Sequence, residues 1–385
     1  MKAILYLAAL LLCSDIAGAQ MRLDFTFDVD SATREFILAV PTTPPPPGGY
    51  PIVFMFHGTS QGGELFFNES QWKEKGEAEN FLTVFPTALR YCLYDNGVQR
   101  TTTKWHNGEL DDSACAGQVL RSDMNFVRAM LDTIESMYPI DHSRIFASGF
   151  SNGASFASKL AIRMSDVFAA VAVSGGTVHR LDSAKPIRNI PYWFNVGTLD
   201  DKWLSAFSGV GLTEFPFNDT ALVYFRSTLR RNLGVFGLDT TYAKDSAGRV
   251  LSYTFTTPAV PEPTAPFRFT LINNMFHVYP NGNNVPFVAA NIFWEFFKAA
   301  VTPASAPSDR RDTGTVSIYP NPATDYVQIG GRGEVTLLLR TILGDEVFRA
   351  TAEAGTRIAL PALPRGLYFA SLDGAQATMV LLRVE

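Results

Sequence analysis

The chain has 385 residues, of which 46 % are hydrophobic and 18 % charged, and its formal net charge is −5. That balance describes an ordered globular protein with room for two domains, and it excludes a disordered chain. The acidic excess and the lack of any basic run argue against nucleic acid as a partner.

The N-terminus reads as an export signal. Lys2 supplies the charged start, residues 3–12 the apolar core, and Ala17-Gly18-Ala19 a small-x-small cleavage site before Gln20. The apolar run is too short to span a bilayer, so no transmembrane segment is expected once residues 1–19 are removed. A lipid anchor on Cys13 is rejected because Leu12 stands where a small residue is needed. Removal of the signal leaves Cys92 and Cys115. An even count in an exported chain predicts one disulfide, worth roughly 3 kcal/mol in the chain-entropy model; two free buried thiols are the alternative.

Residues 23–40 alternate on both sides of Asp30-Ser31, as a hairpin does. After the stiff Pro44 to Gly49 connection, Pro51-Ile52-Val53-Phe54-Met55-Phe56 is a continuous apolar run, the mark of a strand buried on both faces. A helix over 71–78, a strand over 81–85 and an amphipathic helix over 120–138 follow, the last with Phe126, Met130, Ile134 and Met137 on one face. Further strands are predicted over 143–148, 168–173, 192–196, 251–255 and 267–272, and helices over 154–164, 220–233 and 287–299. Strands alternating with helices predict an α/β fold with a mostly parallel sheet covered on both faces, its active site at the carboxyl ends of the strands. The expected layout is a catalytic domain over 20–300, a Pro/Ser/Ala linker over 301–313 and a small all-β sandwich of about seven short strands over 314–385.

Gly149-Phe150-Ser151-Asn152-Gly153 lies between a predicted strand and a predicted helix. A serine on such a turn, with glycine two positions either side, is the nucleophile-elbow pattern of serine hydrolases. A Cβ at either glycine would crowd the turn. The serine needs a base, and the base needs a carboxylate. In the α/β-hydrolase order, acid and histidine follow the serine. Only His179 and His277 do so, and His179 leaves little room for an acid before it. His277 follows a strand and is kept on a loop by Tyr279-Pro280-Asn281-Gly282, so it is the candidate base. The strand over 192–196 runs into Gly197-Thr198-Leu199-Asp200-Asp201, which makes Asp200 the candidate acid and Asp201 its reserve. The amides of Asn152 and Thr59 are the candidate oxyanion hole, with Gly58 as runner-up to Thr59. His57 precedes Ser151, against the expected order, and reads as structural.

Trp105 lies inside the predicted Cys92–Cys115 loop, where stacking on a substrate ring and anchoring the loop are equally open readings. Trp203 and Phe207 are weaker candidates for a cleft wall. The five histidines are scattered, with no H-E-x-x-H, no paired C-x-x-C and no phosphate-binding glycine loop, so no metal and no cofactor is expected.

With these residues placed, residues 53–298 resemble the polyhydroxybutyrate depolymerase and feruloyl esterase group of α/β-hydrolases. The landmarks are His57-Gly58, Ser122-Asp123, Ser143-Arg144-Ile145, the elbow, Gly197-Thr198-Leu199-Asp200, and His277 followed by Pro280. The resemblance implies a secreted serine esterase acting on feruloyl or acetyl esters of plant polysaccharide, or on short polyesters, through Ser151, Asp200 and His277. Relatives often carry a second glycine after the elbow, where this chain has Ala154, and Gly-x-Gly before the histidine, where it has Asn274-Met275-Phe276. Bulk beside His277 is expected to reshape the acyl or alcohol pocket. A peptidase on the same scaffold and a surface-displayed binding protein without activity are the rival readings. The tail resembles the C-terminal sorting domain of the type IX secretion system of Bacteroidetes, through Ile318-Tyr319-Pro320-Asn321-Pro322-Ala323, Gly366-Leu367-Tyr368 and Leu382-Arg383-Val384. It implies passage through the outer membrane by that machinery, to the medium or the cell surface. A substrate-binding sandwich is the alternative, and no cluster of aromatics suggests a sugar platform.

Overall fold

An antiparallel hairpin opens the structure, β1 (Met21–Val29) and β2 (Ala32–Val40), turned by Asp30 and Ser31 at φ 52° and 61°. These two residues give the mirror-image turn whose twist matches the strands it joins. The computed structural model describes residues 20–95, 97–180, 182–204, 223–260, 264–283, 285, 287–301 and 317–384, without 320–322, 331–333, 342–344, 354–355 and 374–377. The predicted export signal, residues 302–313 of the predicted linker, Phe207 and Pro320-Asn321-Pro322 lie outside the described residues.

After the hairpin come β3 (Tyr50–Phe56), α1 (Gly63–Glu69), α2 (Trp72–Glu79), β4 (Leu82–Thr87), β5 (Arg90–Asp95) and β6 (Val98–Thr103). Next are α3 (Glu109–Ser113), α4 (Asp123–Glu135), β7 (Ile140–Phe150), α5 (Asn152–Arg163), β8 (Ala170–Ser174) and β9 (Tyr192–Gly197). The unit ends with α6 (Asp201–Leu204), α7 (Val223–Phe236), β10 (Tyr242–Ala247), β11 (Val250–Phe255), β12 (Phe267–Ile272) and α8 (Ala289–Val301). The main sheet has ten strands in the order β1-β2-β4-β3-β7-β8-β9-β12-β11-β10. Its centre, from β4 to β12, is parallel throughout, and an antiparallel hairpin flanks it on each side.

The parallel strands read as apolar runs because both faces are covered. Ile52, Phe54 and Phe56 of β3 pack on one side with Phe126 and Met130 of α4, Phe156 of α5 and Leu233 of α7. Val53 and Met55 point to the other side, among Phe66, Trp72 and the α8 residues Phe293, Trp294 and Phe297. This is the α/β-hydrolase fold.

The sequence missed six elements of this unit, β5, β6, β10, α1 and the short helices α3 and α6 of five and four residues. Strand β10 is an exposed edge with no apolar face. The ribbon β5–β6 lies outside the main sheet, and α1 is too short to show a period. The predicted helix over 120–138 begins only at Asp123, because the Ser122 side chain accepts the Asn125 amide at 3.3 Å as an N-cap. It ends before Met137, which is 43 % exposed and not on the buried face. The predicted disulfide is present: Cys92 and Cys115 are bonded, with Cα atoms 5.4 Å apart.

The tail holds seven strands among the described residues: β13 (Ser317–Tyr319), β14 (Tyr326–Gly330), β15 (Glu334–Thr341), β16 (Glu346–Glu353), β17 (Arg357–Ala359), β18 (Gly366–Asp373) and β19 (Thr378–Val384). They form a sheet β13-β14-β17 and a sheet β16-β15-β18-β19, with Val327, Ile329, Leu337, Leu339 and Ile358 in a shared core.

A buried ion pair fixes the first hairpin to α4. Arg34 Nη2 donates to Asp123 Oδ1 at 2.6 Å, and its guanidinium lies 3.9 Å from the centre of the Phe126 ring. The other Asp123 oxygen accepts the His106 amide at 2.7 Å. Asp123→Ala leaves the Arg34 charge buried and unpaired, which is expected to cost about 3–5 kcal/mol, whereas replacing both partners by apolar residues recovers most of it. Urea unfolding of the single and double variants checks this.

Candidate active site

At the top of β7 the chain turns sharply into α5, and Ser151 sits on the turn at φ 54°, ψ −119°. Its amide donates to Ser174 O at 2.9 Å, which ties the turn to the end of β8. The flanking glycines are explained by close approach. A Cβ on Gly153 would lie 2.3 Å from the carbonyl oxygens of Phe56 and His57, and one on Gly149 would lie 2.5 Å from Gly153 O. Gly176, which the sequence reading did not single out, passes so close that its Cβ would meet Ser151 O at 2.2 Å. The visible signal was the pair Gly175-Gly176 directly after a strand.

Strands β9 and β12 are parallel neighbours with Gly197 opposite Ile272, so the loops after them leave the sheet side by side. One carries Asp200 and the other His277. Backbone bonds stitch the loops together: Thr198 N donates to Ile272 O at 2.9 Å and Leu199 N to Met275 O at 2.9 Å. The Thr198 hydroxyl accepts the Asn274 amide at 2.9 Å. From the β10–β11 turn, Arg249 donates to the carbonyls of Asn273 and Asn274, each at 2.9 Å. Nothing in the sequence marked Arg249, a half-buried residue in a turn.

These contacts bring three predicted residues together. His277 Nε2 lies 2.8 Å from Ser151 Oγ, and His277 Nδ1 lies 2.9 and 2.8 Å from the two Asp200 oxygens. Asp200 is 1 % exposed, and its Oδ1 also accepts the amides of Lys202 and Trp203 at 3.1 and 3.4 Å. With that carboxylate as acceptor, Nδ1 carries the ring proton and Nε2 faces the hydroxyl as an acceptor. Asp201 is exposed and points to Lys202 at 3.6 Å, so it is not the partner of His277. Phe150 lies against the imidazole with ring centres 4.9 Å apart.

On the other side of the serine is the loop after β3. A Cβ on Gly58 would come within 3.3 Å of Ser151 Cβ. Gly58 N is occupied by Gln61 Oε1 at 2.8 Å. Thr59 N has no protein acceptor among the described residues. Asn152 is the first residue of α5, where a helix leaves its amides without intrahelical partners.

The substrate-contact reading of Trp105 is corrected. Its side chain is fully buried, stacked on Phe156 with ring centres 5.2 Å apart, and its Nε1 donates to His57 O at 2.9 Å. No face is open to a ligand, and the residue anchors its loop. Trp203 also packs inward, its Nε1 on Gly175 O at 3.2 Å and its ring on Phe194. His57 is fully buried, accepts Ala88 N at Nε2 (3.0 Å) and bonds Gly58 O through Nδ1 (2.7 Å), as a structural histidine should. Among the described residues no group of His, Cys, Asp and Glu has a metal-binding arrangement, and no helix is long and apolar enough to cross a membrane.

Two family models match parts of the chain. Residues 44–187 match the family described as Esterase PHB depolymerase, and residues 317–381 match the family described as Secretion system C-terminal sorting domain. The first match holds the elbow but ends before Asp200 and His277. The chain is thus an α/β-hydrolase and a carboxylic ester hydrolase, related through residues 44–187 to polyhydroxybutyrate depolymerase esterases. Its tail is a type IX sorting domain, which marks it for export, either to the cell surface or into the medium. Similar solved structures include an acetyl xylan esterase from Aspergillus awamori, at 16 % identity over 69 % of this chain and 94 % of that one, with TM-score 0.43. A ferulic acid esterase from Anaeromyces mucronatus, solved with ferulic acid, has 14 % identity over 72 % and 90 %, with TM-score 0.41. An S-formylglutathione hydrolase from Staphylococcus aureus has 11 % identity over 74 % and 100 %, with TM-score 0.41. No curated protein matches the chain.

Two outcomes follow from this packing. A Cβ on Gly197 would fall 1.9 Å from Met275 O, so Gly197→Ala must push the two loops apart. It is expected to lower kcat about a hundredfold with little change in KM. Burial lowers the His57 pKa from 6.5 to about 4. Between those values the unfolded chain binds a proton that the folded chain refuses. Stability is therefore unaffected above pH 6.5 and falls as pH drops towards 4, by up to about 3 kcal/mol. Urea unfolding across that window should show a steeper loss for the parent than for His57→Gln.

Proposed function

We propose that Ser151, His277 and Asp200 act as nucleophile, general base and orienting acid in ester hydrolysis. The observation that carries this reading is the unbroken hydrogen-bonded path from the Asp200 carboxylate through both nitrogens of His277 to Ser151 Oγ. Asp200 holds the tautomer with its proton on Nδ1 and stabilises the imidazolium that forms at Nε2. His277 Nε2 takes the hydroxyl proton as Oγ attacks the ester carbonyl. The amides of Thr59 and Asn152 receive the negative charge on the carbonyl oxygen. The tetrahedral intermediate collapses, the C–O bond to the alcohol breaks, and His277 returns the proton to the departing oxygen. Water then attacks the acyl-enzyme, His277 takes its proton, and the acid leaves as Ser151 recovers its hydroxyl.

The substrate class is a feruloyl or acetyl ester on plant polysaccharide, or a short polyester. Its support is the likeness of residues 44–187 to polyester-cleaving esterases. Phe276, directly before the histidine, is 59 % exposed and offers an apolar surface beside the reacting atoms. The catalytic domain spans 20–300, and the tail from 314 is its export address.

Ser151→Ala is expected to lower the hydrolysis of p-nitrophenyl acetate by about 10⁴-fold or more, and Asp200→Asn by about 10⁴-fold. Asp201→Asn should leave the rate near that of the parent. If Ser151→Ala turns over as fast as the parent, the assignment is wrong.

A further inference from the structure

The stretch closed by the disulfide is an excursion from the main sheet. Strands β5 and β6 form a two-stranded ribbon apart from the main sheet, and α3 returns the chain to Cys115, where Ala114 bridges Leu93 and the Cys115 amide donates to Cys92 O at 3.0 Å. Thr102, Thr103 and Trp105 all lie between the two sulfurs. Thr102 and Thr103 bond the loop after β3, and Trp105 bonds His57 and Asn152.

Thr103 and Thr102 grip the loop after β3. Ser60 N donates to Thr103 O at 3.0 Å, the Thr103 hydroxyl donates to Gln61 O at 2.6 Å, and the Thr102 hydroxyl donates to Ser60 Oγ at 2.6 Å. Ser60 has φ 66°, a conformation that a non-glycine residue holds only when its surroundings impose it. The threonines impose it, directly after Thr59. Two residues on, Trp105 N donates to Asn152 Oδ1 at 2.7 Å and Asn152 Nδ2 donates back to Trp105 O at 3.3 Å. The Trp105 indole holds His57 O, just before Gly58. One short segment therefore bonds the residue after Thr59 and the side chain of Asn152, and among the described residues makes no hydrogen bond to His277 or Asp200.

We infer that Thr103 and Trp105 are positioning residues for the oxyanion hole, and that the Cys92–Cys115 bond holds the ribbon that presents them. The inference rests on the reading of Thr59 and Asn152 as oxyanion donors. Full activity then requires the closed disulfide, which an exported chain gains only outside the reducing cytoplasm.

The experiment uses the full chain. Parent, Thr103→Val, Thr103→Ser and the double variant Cys92→Ser/Cys115→Ser are compared in kcat and KM on p-nitrophenyl acetate, and in affinity for a trifluoromethyl ketone. That ketone adds to the serine and places its oxygen where the intermediate's oxyanion sits. Thr103→Val should lower kcat about tenfold to a hundredfold, weaken the ketone by a similar factor and leave KM near the parent value. Thr103→Ser keeps the hydroxyl and should restore both. The double cysteine variant should behave as Thr103→Val does. Should Thr103→Val not fold, Thr102→Val is read in its place. Folded variants that keep kcat and ketone affinity within about twofold of the parent overturn the inference, as does a rise in KM with kcat retained. A loss confined to Thr103→Val removes the disulfide from it. Failure of the triad reading is seen separately, as turnover that survives Ser151→Ala.

Discussion

Everything at the site hangs on one crowded turn. Ser151 is held at φ 54°, ψ −119°, away from the allowed regions for a residue with a side chain. Strain of this kind costs roughly 1–3 kcal/mol and persists only where the surroundings over-determine the backbone. Here three glycines do so by omission. Gly149 and Gly153 let the helix fold back onto its own strand and onto the end of β3, and Gly176 lets the next loop pass beneath the serine. The Ser174 carbonyl then takes the Ser151 amide. What the turn gains is a hydroxyl raised clear of the sheet, with the first amide of α5 beside it.

The site is assembled from two halves that come together at this turn. In sheet order, β3 stands on one side of β7, while β8, β9 and β12 stand on the other. The β9 and β12 side brings Asp200 and His277 on loops stitched by main-chain bonds and pinned by Arg249. The β3 side brings the Thr59 amide on a loop gripped by the disulfide ribbon. In the proposed reaction, proton transfer is set by one half and charge stabilisation by the other. Parallel pairing makes both possible, because it delivers all the strand ends that bear function to one edge of the sheet.

The sequence made some of this legible and hid the rest for physical reasons. Central strands such as residues 50–56 announce themselves because burial on both faces leaves only apolar residues. Ser151, Asp200 and His277 followed from chain order and from their places after strands. The choice of Asp200 over Asp201 follows no residue-type rule. It is decided by which carboxylate turns inward at the start of α6, where the Lys202 and Trp203 amides receive it. Strand β10 stayed invisible because an exposed edge needs no apolar alternation. Arg249 stayed invisible because its partners are carbonyl oxygens, which every residue has.

Trp105 shows where residue type leaves two readings open. A tryptophan on an excursion near the strand tops has the chemistry of a ring-stacking platform, and residue type alone cannot tell a platform from an anchor. The difference lies in the indole N–H. Buried, it needs an acceptor, and the carbonyl of His57 at the end of β3 supplies one. That single bond turns the ring inward onto Phe56 and Phe156 and removes it from the cleft. It leaves the same residue's backbone paired with the Asn152 side chain. The tryptophan therefore steadies the side chain beside Ser151 and faces no ligand. A large aromatic near a catalytic serine is better judged by where its polar atom is satisfied than by its distance from the serine.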